Sequence, residues 1–89
     1  IELLTYLSST EDANIRVSNL PEETMEQDLR DLFHRCGRIT RINLAKNRNN
    51  NASRGVAFIY FAERREAQTA IDALNDFGYG NLILQVEWA

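Results

Sequence analysis

Eighty-nine residues, 44% hydrophobic and 26% charged, describe one small globular domain rather than a disordered chain or a linker. One Cys and one His leave no intrachain disulfide framework and no plausible zinc site, and no apolar run approaches the roughly 18–20 residues needed to span a bilayer. The net charge of −3 argues against polyanionic partners until its distribution is read: without Glu2, Glu11 and Asp12, residues 13–89 hold ten acids and ten bases.

Ile1–Leu7 is too short for a membrane span and lacks the basic flank of a secretory signal. Residues 1–12 read first as a tail or linker, with a short element that docks on the domain or on a partner as the alternative. The patterned domain runs over 13–89. Asn14–Ser18 alternates, with Ile15 and Val17 on one face, and stops at Asn19-Leu20-Pro21, as a short strand does. Thr24-Met25-Glu26-Gln27 has capping-box spacing, with the Thr24 oxygen accepting from the first helical turn and Gln27 reaching back. Leu29, Leu32, Phe33 and Cys36 then recur at helical spacing, and Gly37 is placed to take a left-handed C-terminal position.

Ile39–Ala45 reads as a second strand, Ile42 and Leu44 inward, Arg41 and Asn43 outward. Lys46–Ser53 is polar and Asn-rich, a strand-to-strand loop. Gly55–Phe61 is the strongest strand: Gly55, Ala57, Ile59 and Phe61 share one face, Val56, Phe58 and Tyr60 the other. A second helix is predicted from about Arg64 to Asp76, with Ala67, Ala70, Ile71 and Leu74 inward and no strong N-cap. Gly78 and Gly80 break the chain, and Leu82–Trp88 closes as a strand with Leu84 and Val86 inward.

The order β-α-β, β-α-β is the split βαβ arrangement, an α+β, ferredoxin-like sandwich: a four-stranded antiparallel sheet with both helices on one face. Right-handed crossovers place the first and third strands side by side in the centre. The face without helices then carries Arg16, Val56, Phe58 and Tyr60 in its middle, Arg41 and Asn43 to one side, and Ile83, Gln85 and Glu87 to the other.

Those residues resemble an RNA-recognition motif, the RNP domain. Arg54-Gly55-Val56-Ala57-Phe58-Ile59-Tyr60-Phe61 is similar to its eight-residue signature and Ile15-Arg16-Val17-Ser18-Asn19-Leu20 to its six-residue one. A narrower resemblance, carried by Phe77–Ala89, Arg41–Lys46 and Ile15-Arg16-Val17, is to a family of subunits of eukaryotic translation initiation factor three. It implies cytoplasmic RNA binding, to messenger or ribosomal RNA, beside other factor subunits on the small ribosomal subunit. The family's stacking positions fall on Arg16, Val56 and Phe58, of which only Phe58 is aromatic. Because stacking on an aromatic is worth about 1–3 kcal/mol per base, modest affinity is expected.

The resemblance therefore implies RNA contact by Phe58, through stacking, and by Arg16, whose guanidinium offers a plane and a charge. Tyr60 adds a second ring on that face or pairs across strands. Lys46 and Arg54 flank the loop where phosphate would pass, with Arg41 and Arg48 as further cations. Asn43, Gln85 and Glu87 offer polar groups to base edges, and Val56 a van der Waals surface. The bland alternatives are a solvated Arg16 paired with Glu87 and a merely polar strand face. Cys36 reads as a small inward filler, His34 as a polar-side residue, and Trp88 and Tyr79 as packing at the sheet margin. No phosphate-cradling glycine loop, nucleophile arrangement or metal-ligand spacing appears in the sequence, so neither an enzyme nor a cofactor or metal is expected. The domain is expected to be monomeric alone and away from membranes. The competing function is a protein-interaction module of the same fold, favoured by the acids Glu22, Glu23, Glu26, Asp28 and Asp31 on or near the first helix.

Overall fold

The computed structural model describes residues 13–46, 49–50 and 53–89; the segment 1–12, with both readings offered for it, lies outside the described residues, as do 47–48 and 51–52. The described chain runs β1 (Asn14–Ser18), α1 (Glu26–Phe33), β2 (Ile39–Lys46), β3 (Ser53–Phe61), α2 (Arg64–Leu74), β4 (Gly78–Tyr79), β5 (Leu82–Ile83) and β6 (Gln85–Trp88). Four strands form one antiparallel sheet in the order β2-β3-β1-β6, so β1 and β3 are central as expected. β2 and β3 both run further than the sequence pattern predicts, into the Asn-rich segment, where Lys46 pairs with Ser53.

Alternation builds the core. Ile15 and Val17 from β1, Ala57 and Ile59 from β3, and Leu84 all lie at 0% exposure against Leu29 and Phe33 of α1 and Ala67 and Ala70 of α2. α1 packs on β2, while α2 packs on β1, β3 and β6. Leu32, Cys36, Leu44, Ile71, Tyr79 and Trp88 are half-buried around this cluster. Both helices thus cover one face of the sheet, and no described helix is long and apolar enough to cross a membrane.

Local details depart from the expected caps. The N–H of Thr24 donates to the carbonyl of Pro21, closing a turn that delays the helix by one residue. Met25 becomes the cap, and Asp28, not Gln27, reaches back to its N–H at 2.9 Å. The Thr24 hydroxyl is buried without a hydrogen-bond partner among the described residues. α2, expected to start uncapped, begins with the same device: the Glu66 carboxylate accepts from the Glu63 N–H at 2.9 Å. Its other oxygen accepts from the N–H of Arg38 at 3.1 Å, tying the start of α2 to the turn before β2.

That tie explains Gly37. Its backbone is not left-handed, contrary to the sequence expectation; the positive-φ glycines among the described residues are Gly55 and Gly80. A Cβ at position 37 would instead collide with the Glu66 side chain. The predicted strand Leu82–Trp88 also divides. The Leu84 N–H donates to the Phe77 carbonyl at 2.9 Å and its own carbonyl accepts from the Asp76 N–H at 2.8 Å, instead of pairing with β1. Leu82 and Ile83 consequently pair with Tyr79 and Gly78 in a separate hairpin, and α2 ends at Leu74, two residues early. Asn75 bridges the joint, its side-chain oxygen accepting from the Val86 N–H at 3.0 Å.

Gly37→Ala is expected to destabilise the domain by about 1–3 kcal/mol, the range for overpacking. Gly78→Ala, where an added Cβ meets nothing within 4 Å, should change stability by no more than about 0.5 kcal/mol. Urea unfolding midpoints of the two variants check the contrast; equal midpoints would remove the Gly37–Glu66 contact as a constraint.

Candidate nucleic-acid interface

The helix-free face is organised by register. Arg16 stands opposite Phe58 on one side and opposite Glu87 on the other, and Phe58 stands opposite Asn43. Asn43, Phe58, Arg16 and Glu87 therefore form a single row across all four strands, with neighbouring strands about 4.8 Å apart. A second row sets Arg41 opposite Tyr60 and Tyr60 opposite Asn14. In a third, Ser18 lies between Val56 and Gln85. Phe58, Tyr60 and Val56 are half-buried; Arg41, Asn43, Gln85 and Glu87 are exposed. The rings lie open because the pleat that sends Ile15, Ile59, Val17 and Ala57 into the core sends their neighbours outward.

Two contacts order this face. Arg16 Nη1 donates to Glu87 Oε1 at 2.8 Å, with side-chain exposures of 42% and 60%. So open a pair is worth about 0–1 kcal/mol and yields readily to a ligand. The Arg41 guanidinium lies 5.6 Å from the centre of the Tyr60 ring, another contact of about 0.5–1 kcal/mol. Arg16 thus pairs with Glu87, and Tyr60 makes a cross-strand contact with Arg41. Lys46 is exposed at the end of β2, beyond a register shift after Leu44. The backbone of Arg54 belongs to β3, but its side chain lies outside the described residues, as does Arg48.

The opposite side of the domain is chemically different. Asp28, Asp31 and Glu23 stand near Tyr79, whose phenol is pushed up from its ordinary value by burial first and by those carboxylates second. Burial also pushes the Cys36 thiol up, in keeping with a packed filler rather than a reactive group. His34 is exposed at the end of α1. The Arg64 guanidinium stacks over the Trp88 ring at 4.0 Å, on the helix side of the sheet. Among the described residues no group of His, Cys, Asp and Glu could hold a metal ion.

Sequence reading placed the rows but missed two of their members and misplaced one residue. Asn14 and Ser18 share the parity of Arg16 and so were legible from β1 alone. Asn19, at φ 67°, uses its amide to donate to the Ile83 carbonyl at 2.8 Å, pinning the hairpin to the end of β1. Ile83, expected beside Gln85 and Glu87, lies in that hairpin and not in the four-stranded sheet.

A helix-free antiparallel face with a half-buried aromatic at its centre, flanked in register by Arg16 and Asn43, is compatible with a nucleic-acid-binding class of protein. The chain belongs to the RNA recognition motif family, whose pattern matches residues 15–85. Within it, the chain is 56% identical over 79 residues to the G subunit of eukaryotic translation initiation factor 3 from Nematostella vectensis, covering 89% of this chain and 27% of that protein. It is 51% identical to the Homo sapiens G subunit, covering 89% and 25%. The chain thus spans about a quarter of the length of these relatives. Among solved structures, a Sxl-lethal protein/RNA complex superposes with a TM-score of 0.86 at 35% identity, covering 91% of this chain and 50% of that one. RNA recognition domains 1 and 2 of Drosophila melanogaster Sex-lethal give 0.83 at 29%, covering 88% and 50%.

The platform depends on how β3 begins. Gly55 has φ +83°, and its carbonyl accepts from the Leu20 N–H at 3.0 Å. A Cβ there would be strained by conformation and would press on the Leu20 carbonyl at 3.3 Å. Gly55→Ala should cost about 1–3 kcal/mol of stability. In amide spectra its shifts should centre on Leu20 and Val56–Phe58; an unperturbed Leu20 would rule out the coupling.

Proposed function

We propose that this domain binds single-stranded RNA, messenger or ribosomal, on its open sheet face with modest affinity. The observation that supports the reading most directly is Phe58, an aromatic left half-buried at the centre of a helix-free sheet and flanked in register by Arg16 and Asn43. One base stacks on Phe58. Arg16 and Arg41 supply charge or a stacking plane beside it, and Tyr60 carries a neighbouring base. Lys46, with Arg54 by its place in the sequence, meets phosphate at the loop end. Gln85, Glu87 and Asn43 meet base edges. The similarity to the G subunit favours a cytoplasmic role as part of a translation initiation factor, in which this domain is a binding module rather than a catalyst. Its neighbours there would be other factor subunits and the small ribosomal subunit.

Phe58→Ala is expected to weaken binding of a short single-stranded RNA by about 1–3 kcal/mol, with the fold intact by circular dichroism. Reversing Lys46 and Arg54 to Glu should flatten the dependence of log affinity on log salt by about 0.7 for each phosphate interaction removed. Fluorescence anisotropy at several salt concentrations reads both; equal affinities for parent and Phe58→Ala would end the stacking assignment.

A second reading, protein interaction, is favoured by one specific feature of the helix side. A shallow cleft of about 360 Å³ lies between α1 and the end of α2, floored by Leu32, Cys36, Leu74 and Phe77 and rimmed by Asp31 and Arg35. Phe77 remains 40% exposed. This face is remote from the RNA rows, so the two activities are compatible. Phe77→Ser should weaken nuclease-resistant association with the purified remainder of the factor by about 1–2 kcal/mol while leaving RNA affinity unchanged. Unchanged association would remove the cleft as a docking site.

A further inference from the structure

The row Asn43–Phe58–Arg16–Glu87 contains an oddity for an RNA platform: a carboxylate exposed on the face that is to meet a polyanion. Glu87 is tolerable there because Arg16 neutralises it at 2.8 Å, and the pair carries no net charge. One nitrogen of the guanidinium and one oxygen of the carboxylate are used in that contact. The guanidinium has further N–H donors and the carboxylate a second oxygen to offer a ligand.

We propose that Arg16 and Glu87 together form a base-edge reader that selects guanine for the nucleotide held beside Phe58, an inference that rests on the sheet binding RNA. The chemistry follows from matching donors and acceptors. Side by side, the pair presents an N–H donor followed by carboxylate acceptors. The Watson–Crick edge of guanine presents the complement: the O6 acceptor, then the N1–H and N2–H donors. Cytosine and adenine can set a ring nitrogen toward the arginine and an amino donor toward one carboxylate oxygen, but each leaves the other oxygen without a donor. Uracil sets a single N–H between two carbonyls, and so leaves one carboxylate oxygen facing a carbonyl. Guanine alone among the four sets an acceptor toward the arginine and two adjacent donors toward the carboxylate, one for each oxygen.

Position supports the same choice. Arg16 is one strand from Phe58 and Glu87 two. Both side chains are long enough to rise past a base resting about 3.5 Å above the ring. On the other side of Phe58, Asn43 offers both a donor and an acceptor and so suits any base. Discrimination therefore falls to the charged end of the row. Because the pair is exposed and weak, opening or sharing it for a base loses little.

The test is a set of seven-nucleotide RNAs, six uridines with a single central guanine, adenine, cytosine, uridine or inosine, titrated against the chain and against Glu87→Gln. The guanine oligomer is expected to bind the parent about tenfold more tightly than the uridine one, the scale of one good bidentate contact. Inosine, which lacks the N2 amino group, should bind about three- to tenfold more weakly than guanine. Glu87→Gln, a surface change whose fold is checked by its amide spectrum, should bind guanine and inosine alike and bring the ratio of guanine to uridine affinity close to one. Equal binding of all five by the parent overturns the guanine inference while leaving RNA binding intact. Tighter binding of every oligomer by Glu87→Gln, with the same order among bases, also overturns it, and assigns Glu87 to masking Arg16 from phosphate. Binding of none overturns this inference and the function on which it rests.

Discussion

The pairing of β1 with β3 is the constraint on which the rest depends. Five consecutive pairs, from Asn14 opposite Tyr60 to Ser18 opposite Val56, run through the middle of the sheet. Side chains alternate with period two, so one choice of register settles both faces together. Ile15 with Ile59 and Val17 with Ala57 supply the fully buried layer, and Arg16 and Phe58 emerge opposite one another on the other side. A slip of one residue would carry Arg16 toward α1 and α2 and bring Ile15 to water. Burying a guanidinium without a partner costs several kcal/mol, far more than a small domain can spare. The hydrophobic effect therefore assembles the candidate RNA platform as a by-product of filling the core.

The helices complete this asymmetry. They cover one face, and the Glu66 carboxylate ties them together by accepting from Glu63 at the start of α2 and from Arg38 in the turn between α1 and β2. Several acids of α1 are kept on that side, where Asp28 caps the helix, Asp31 accepts from Gln27 and Glu26 pairs with Arg30. The open face retains Arg41 and the Arg16–Glu87 pair, and Lys46 is exposed at the end of β2. A chain whose pI is near 5 can thus offer a cationic surface, since phosphate responds to the local field and not to the total charge.

What was legible in the sequence is what local periodicity controls. The alternation of Asn14–Ser18 and Gly55–Phe61 and the helical spacing of Leu29, Leu32 and Phe33 specify the central strands, the inward faces and hence the row that holds Phe58. What was not legible depends on where remote backbone groups find partners. Thr24 loses the cap because its N–H turns back to Pro21. The last strand breaks because Leu84 bonds to Asp76 and Phe77. Gly37 is demanded by Glu66, twenty-nine positions away, rather than by its own φ. The Arg16–Glu87 pair, though it spans 71 positions, is an exception: parity and the expected strand order made it legible as an alternative for Arg16.

The substitution of arginine for an aromatic at position 16 changes the kind of recognition the surface can support. A ring stacks on any base, and so raises affinity with little selectivity. An arginine held by a glutamate stacks less well but presents directed donors and acceptors, so part of the lost affinity is exchanged for discrimination. Such a trade suits a domain that does not act alone. When a module is tethered in a larger assembly already near its RNA, the effective concentration reaches the millimolar range for short linkers, and weak binding then suffices for occupancy. Under the proposed function the domain is in that position, one part of a longer chain within a multi-subunit factor. The useful property of its sheet is then which base it accepts and how quickly it lets go, and an exposed ion pair beside Phe58 favours both.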